Sequence, residues 1–222
     1  QRFLTTQANQ CDGLYILGDL LESWIGDDDD DAARAAVCTA LQGFTHRGTP
    51  CWVMRGNRDF LLGDQFERRT GCTLLPDPTL LQLGSHRVLI THGDLLCTAD
   101  HRYQQFRTQV RSEKWQSEFL AKPLAERRTI ARGLRHASEA RKASGAVYVD
   151  VDNNAAHALL AHSGCSLLIH GHTHAPRAHA VGEGLQRLVL SDWDASATPP
   201  RAQALRWRAD APSVLQRVDL PV

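Results

Sequence analysis

The sequence predicts an α/β (α+β) fold of layered sheets and helices, on three observations. Four short apolar runs each stop at a glycine beside a polar, metal-capable side chain. A helix-patterned stretch separates the first two runs, and strand–helix–strand alternation marks sheets covered by helices. More short strand-forming runs follow His174, enough for a second sheet layer.

The first run, Leu14-Tyr15-Ile16-Leu17, leads into Gly18-Asp19. The acid run Asp27 to Asp31 comes next and reads as negative charge capping the amino end of a helix. That helix spans Asp31 to Thr45, where Ala, Leu, Val and Phe recur every three or four residues. Trp52-Val53-Met54 then passes through Arg55 into Gly56-Asn57, and Val88-Leu89-Ile90-Thr91 passes into His92-Gly93-Asp94. Arg102 to Lys142 has few strand formers and no glycine before Gly133, so it reads as helical. Leu167-Leu168-Ile169 runs into His170-Gly171-His172, and Leu188–Leu190, Ala204–Trp207 and Val214–Leu220 close the chain as strands. One domain is expected over 1–222, with a helical insertion over 102–145 inside it.

Composition is ordinary for a globular chain, 42% apolar and 23% charged over 222 residues, which excludes a fibre or a disordered tail. The 25 basic and 25 acidic residues balance, so net charge names no partner. The helical segment is the exception: its eleven basic and four acidic residues give it +7, interleaved with apolar side chains such as Tyr103, Trp115 and Leu134. It reads either as a solvated hairpin over the sheet or as a lid for an anionic, partly apolar ligand or acidic lipid surface. No apolar run approaches the roughly 18 residues of a membrane span, and no signal-peptide pattern opens the sequence. The six scattered cysteines form no C-x-x-C pair and read as reduced, buried thiols of a cytosolic protein.

Open α/β sheets build their sites beyond the carboxyl ends of strands. The polar tips there are Asp19, Asn57, His92, His172 and His174, a set of oxygen and imidazole donors without a thiolate. Such a set suits Mn²⁺, Fe, Zn²⁺ or Mg²⁺ at a reactive centre better than a structural zinc. Five donors exceed one tetrahedral ion, so two neighbouring ions are expected, an arrangement that clamps both oxygens of a phosphoryl displacement. His170, one step before the glycine, points the other way and is expected behind the ligands in support. The other seven histidines read as surface or capping residues.

Gly18-Asp19, Gly56-Asn57-Arg58-Asp59, His92-Gly93-Asp94 and Gly171-His172-Thr173-His174 resemble, in order and spacing, the blocks of calcineurin-like metallophosphoesterases. The longer stretches "LYILGDLLESWIGDDD" (14–29), "GNRDFLLG" (56–63), "HGDLLCTAD" (92–100) and "LIHGHTHAP" (168–176) resemble, more closely, the UDP-2,3-diacylglucosamine diphosphatase family of lipid A biosynthesis. The resemblance runs from about Phe3 to the C terminus. It implies a β-sandwich flanked by helices, with a dinuclear site at one edge and the basic helical segment as an acyl-binding cap. It implies two Mn²⁺ ions, with Asp19 bridging them and Asn57, His92, His172 and His174 as terminal ligands; Asp19, Asn57, His92 and His172 would carry the catalysis. It further implies a substrate site of Asn57, Arg58, Asp100, Ser138, Lys142 and His172, holding a UDP-linked diacyl sugar lipid. The implied reaction is attack of activated water on the α-phosphorus, giving UMP and 2,3-diacylglucosamine 1-phosphate, by an enzyme peripheral to the cytoplasmic face of the inner membrane.

The family pattern also opens on a strand ending in Asp-x-His, and no such pair precedes Asp19 here. The expectation is a sequence lacking that first strand, cut from a longer enzyme and much less active alone. The residues by themselves leave two other readings open: a metallophosphoesterase for another nucleotide or phosphodiester, and a non-catalytic scaffold on the same fold. Nucleic acid is not an expected partner, because the basic residues cluster in one helical stretch of a neutral chain.

Overall fold

Side-chain alternation along four strands explains the layering. In β1 (Leu14–Ile16), Leu14 and Ile16 pack toward one apolar cluster while Tyr15, with Leu17 just beyond, packs toward another. In β2 (Cys51–Met54), Cys51 and Val53 share the first cluster and Met54 the second. Further along, β5 (His86–Thr91) and β6 (Leu167–His170) turn Val88, Ile90 and Ile169 to that second cluster, and Leu89 and Leu168 to a third. A strand with apolar residues on both faces must be covered on both. The second cluster is therefore the seam between two sheets, and the other two are the contacts of those sheets with helices.

The computed structural model describes residues 2–6, 8–143, 149–210 and 215–220. One sheet is parallel, in the order β1, β2 and β3 (Thr73–Leu75). The other is mixed, ordered β4 (Thr79–Leu83), β5, β6, β8 (Leu185–Val189) and β7 (Ala178–Gly182), with β5, β6 and β8 parallel in its centre. A separate hairpin pairs β9 (Gln203–Arg206) with β10 (Gln216–Asp219). Helices α1 (Arg2–Thr6), α2 (Ala32–Thr45) and α3 (Asp64–Thr70) accompany the first sheet, and α7 (Asn153–Ser163) packs on the second. The expected two-sheet sandwich flanked by helices is thus present. The short strands β3, β4 and β7 and the helices α3 and α7 are additions to the sequence reading.

The segment expected to be helical forms α4 (His101–Val110), α5 (Glu113–Leu120) and α6 (Leu124–Ala143). At least four of its eleven basic residues pair with acids outside the segment. Arg107 and Arg111 turn inward to Asp94, while Arg127 and Arg128 pair with Asp28, Asp29 and Asp30. This corrects the reading of the acid run as a helix cap. Only Asp31 caps α2, accepting from Ala33 N at 2.9 Å and Arg34 N at 3.2 Å. Asp28 to Asp30 face the guanidinium groups of α6, and Asp27 accepts from Trp24 Nε1, Gly63 N and Phe66 N. Val214, the expected start of the last strand, lies outside the described residues.

Candidate metal centre

The carboxyl ends of β1, β2, β5 and β6 carry Asp19, Asn57, His92 and His172, and the fold brings all four together. Asp19, His92 and His172 each offer a ligand atom, and these atoms lie within 4.8 Å of one another. Two glycines allow this approach. A Cβ on Gly18 would fall 2.7 Å from His92 Nδ1, and one on Gly56 would overlap the Asp19 carboxylate. No L side chain fits either place.

The protonation of His92 follows from its partners. Its Nδ1 faces the Leu17 carbonyl at 2.7 Å, so Nδ1 carries the proton and donates it. Nε2 is left with a lone pair, to which Asn57 N donates at 3.3 Å. Asn57 Oδ1 sits 3.0 Å from that same Nε2 and 2.9 Å from His172 Nδ1. Asp19 Oδ1 is 3.8 Å from His92 Nε2 and accepts from Arg58 N at 2.9 Å. Burial pushes His172 down to about 4, so its ring is neutral near pH 7 and offers a lone pair too. Oxygen and imidazole lone pairs converge here without a thiolate, a donor set that fits a divalent cation of the Mn²⁺, Zn²⁺ or Fe²⁺ kind.

Backbone conformation marks the same residues. Among the described residues, the non-glycines at positive φ are Asp19 (54°), His172 (62°) and His174 (52°). Left-handed conformation costs an L residue roughly 1–2 kcal/mol. All three were singled out in the sequence as metal donors, and strain of this kind collects where a side chain must be aimed. His174 is exposed and stands outside the three-residue group.

The expected substrate residues have different placements. Arg58 extends beside the group, its Nε 3.7 Å from Asp19 Oδ2 and its Nη1 on Glu22. Asp100 caps α4, accepting from Tyr103 N at 3.1 Å. Ser138 is exposed on α6, one turn beyond Arg135, whose guanidinium lies 3.8 Å from Glu22. Lys142 continues that stripe in sequence, and its side chain lies outside the described residues.

Several residues around the group had no role in the sequence reading. Asp59, fully buried, accepts from Gly56 N at 2.6 Å and Leu20 N at 2.7 Å and so joins the loops after β1 and β2. Asp94, equally buried, accepts from Tyr103 Oη at 2.5 Å and Arg107 Nε at 2.9 Å. Burial pushes its carboxyl up, but the guanidinium groups of Arg111 and Arg107 and the hydrogen bond from Tyr103 pull it the other way and it is held at about 2. Arg111 donates onward to Gly56 O at 3.1 Å, which ties α4 to the Asn57 loop. Asp77 accepts from Thr91 Oγ1 at 2.5 Å and His92 N at 3.2 Å. His170 lies behind the donors, as expected, with Nδ1 2.9 Å from Gly171 O. The available signal was motif membership: Asp59 and Asp94 complete the Gly-Asn-Arg-Asp and His-Gly-Asp blocks.

Comparison with known proteins matches the calcineurin-like phosphoesterase family over residues 2–176, a span that holds all four strand-end blocks. A UDP-2,3-diacylglucosamine hydrolase of Chromobacterium violaceum is 50% identical over 87% of this chain and 83% of its own length. Proteins of the same name from Stenotrophomonas maltophilia and Aromatoleum aromaticum are each 44% identical, over 94% and 97% of this chain and 89% and 87% of their own lengths. The chain therefore belongs to the calcineurin-like phosphoesterases and, within them, to the family of UDP-2,3-diacylglucosamine hydrolases.

Proposed function

We propose that this chain hydrolyses the diphosphate of UDP-2,3-diacylglucosamine, releasing UMP and 2,3-diacylglucosamine 1-phosphate. The observation that carries the proposal is the meeting of Asp19, Asn57, His92 and His172 at four strand ends, in a chain whose relatives bear the name of that activity. Asp19, Asn57, His92, His172 and His174 are the proposed ligands of two Mn²⁺ ions. Bound there, such ions supply charge neutralisation for the diphosphate and acidify the water that attacks its α-phosphorus. The chain's own groups do the rest. The His92 ring is oriented by the Leu17 carbonyl, so its lone pair needs no rearrangement before binding. Arg58, 28% exposed and fixed beside Asp19, is the proposed clamp on phosphate oxygens.

Residues 102–145 are proposed as a cap over the substrate's head group and acyl chains. In support, α5 and α6 leave Leu120 and Leu134 more than 40% exposed, while Arg135 of α6 reaches the Glu22–Arg58 pair. Asp100, Ser138 and Lys142 are its proposed head-group contacts. No helix among the described residues is long and apolar enough to cross a membrane. The substrate is a lipid, so we place the enzyme on the cytoplasmic face of the inner membrane, held peripherally by its cap. The test is UMP release from UDP-2,3-diacylglucosamine after metal stripping and Mn²⁺ addition. Turnover should require the ion, fall by orders of magnitude in His172→Ala, and fall similarly when the acyl chains are removed from the substrate. Equal turnover of UDP-glucosamine would leave a general nucleotide pyrophosphatase instead.

A further inference from the structure

Arg187, on β8, is a whole guanidinium only 2% exposed. Burying a charge is costly unless every donor has a partner, and here each nitrogen has one. Nε donates to Asn153 Oδ1 at 3.2 Å, Nη2 to Asp150 Oδ2 at 3.1 Å, and Nη1 to His170 Nε2 at 3.2 Å. The last contact decides a tautomer. An arginine can only donate, so His170 Nε2 must accept and its proton sits on Nδ1. That proton is then given to Gly171 O at 2.9 Å, which Thr173 N also holds at 2.7 Å. The peptide so fixed opens the turn in which His172 and His174 adopt positive φ. His170 also packs under the neighbouring loop, where a Cβ on Gly93 would fall 3.0 Å from its Nδ1. The other two partners of Arg187 lie where the chain returns from the cap segment into α7.

We infer that Arg187 is a positioning residue for the metal-binding turn: through His170 it fixes the peptide that aims His172, and through Asp150 and Asn153 it ties that turn to the exit of the helical cap. The inference rests on His172 being a metal ligand, as proposed above. Partners that orient ligands in this way are worth 10–100-fold in metal affinity in general.

The test uses the full chain with Mn²⁺ as probe, its free concentration followed by electron paramagnetic resonance. Arg187→Met keeps the apolar stem and removes all three donor nitrogens; Arg187→Gln serves if the first variant does not fold. Expected is Mn²⁺ affinity lowered by about tenfold or more, with the folded far-ultraviolet dichroism retained. Long-range ¹H–¹⁵N spectra of the metal-free protein should show His170 protonated at Nδ1 in the wild type and a tautomer mixture in the variant. A purely structural role would lower the melting temperature and move neither reading. Unchanged Mn²⁺ affinity in a folded variant overturns the inference, and so does a wild-type His170 protonated at Nε2. His172→Ala separates the two levels: if it binds Mn²⁺ like the wild type, the metal-centre reading fails; if it loses binding while Arg187→Met does not, only the positioning role fails.

Discussion

Replacing Asp59 with alanine should destabilise the protein by about 2–4 kcal/mol, a value assembled from its contacts. The carboxylate accepts two backbone N–H groups, from Gly56 at 2.6 Å and Leu20 at 2.7 Å, and is fully buried. Hydrogen bonds to a charged acceptor contribute roughly 1.5–3 kcal/mol each, so deleting both costs about 3–6 kcal/mol gross. One effect opposes this. Burial first, and the nearby Asp19 second, raise the Asp59 pKa, so ionised Asp59 already carries a penalty that alanine removes. The net loss is a large share of the 5–15 kcal/mol typical of a domain. Urea unfolding is the assay: at a slope near 2 kcal/mol/M, the midpoint should fall by about 1–2 M. Asp59→Asn should fall between, since its amide can accept from one N–H but turns its own N–H toward the other. Because Leu20 and Gly56 adjoin Asp19 and Asn57, Mn²⁺ affinity should fall alongside. An alanine variant that unfolds at the wild-type midpoint would refute the claim that this carboxylate joins the two loops.

Gly18→Ala should cost about 2–5 kcal/mol, from a left-handed φ and a Cβ 2.7 Å from His92 Nδ1, and should abolish Mn²⁺ binding by titration calorimetry. Gly133→Ala, where a Cβ on α6 meets nothing within 4 Å, should instead stabilise by about 0.5–1 kcal/mol in the same urea assay. Mn²⁺ at about 100 times its dissociation constant should add about 2.7 kcal/mol, or about 5–10 °C in melting temperature, and His172→Ala should erase that shift. For pH, Asp28 is hydrogen-bonded by Arg127, which lowers its pKa from the ordinary 3.8. A depressed folded-state value means its stabilisation is full above that pH and lost as pH falls through the lowered value. The carboxylate is half exposed, so the contribution is about 0.5 kcal/mol, and Asp28→Asn should flatten the acid limb of the stability curve by that amount.

The strand ends were legible because their signal is local. An apolar run stopping at Gly-Asp or Gly-His states both the strand and the tip, and β1, β2, β5 and β6 fall on the four predicted runs. Even the supporting place of His170 follows from alternation along one strand. Asp59 carries only its place in the Gly-Asn-Arg-Asp block, and its role as a link is hidden because its second partner, Leu20, is 39 residues away. Arg187 is harder still. A strand arginine is ordinarily set facing water, and only the diagonal approach of β6 and β8 reveals that it faces His170. The acid run was misread for the same reason, because Arg127 lies 99 residues from Asp28.

Strain and repulsion at the centre have a common cause. Three left-handed residues cost about 1–2 kcal/mol each, and Asn57 Oδ1 lies 3.0 Å from the His92 Nε2 lone pair with no proton between them. Asn57 N donates to His92 Nε2 within the group, and the remaining restraints come from outside it. Asp59 holds Leu20 beside Asp19, the Leu17 carbonyl fixes His92, and His170 with Thr173 N pins the peptide before His172. None of these clamps engages a ligand atom: Asp59 and His170 act on the backbone next to a donor, and the Leu17 carbonyl holds the far nitrogen of the His92 ring. The ligand atoms are thereby left available to a cation, whose charge would turn their mutual repulsion into binding energy. A clamp mutation should therefore weaken Mn²⁺ binding while leaving every donor side chain in place, a separation that ligand mutations alone cannot produce.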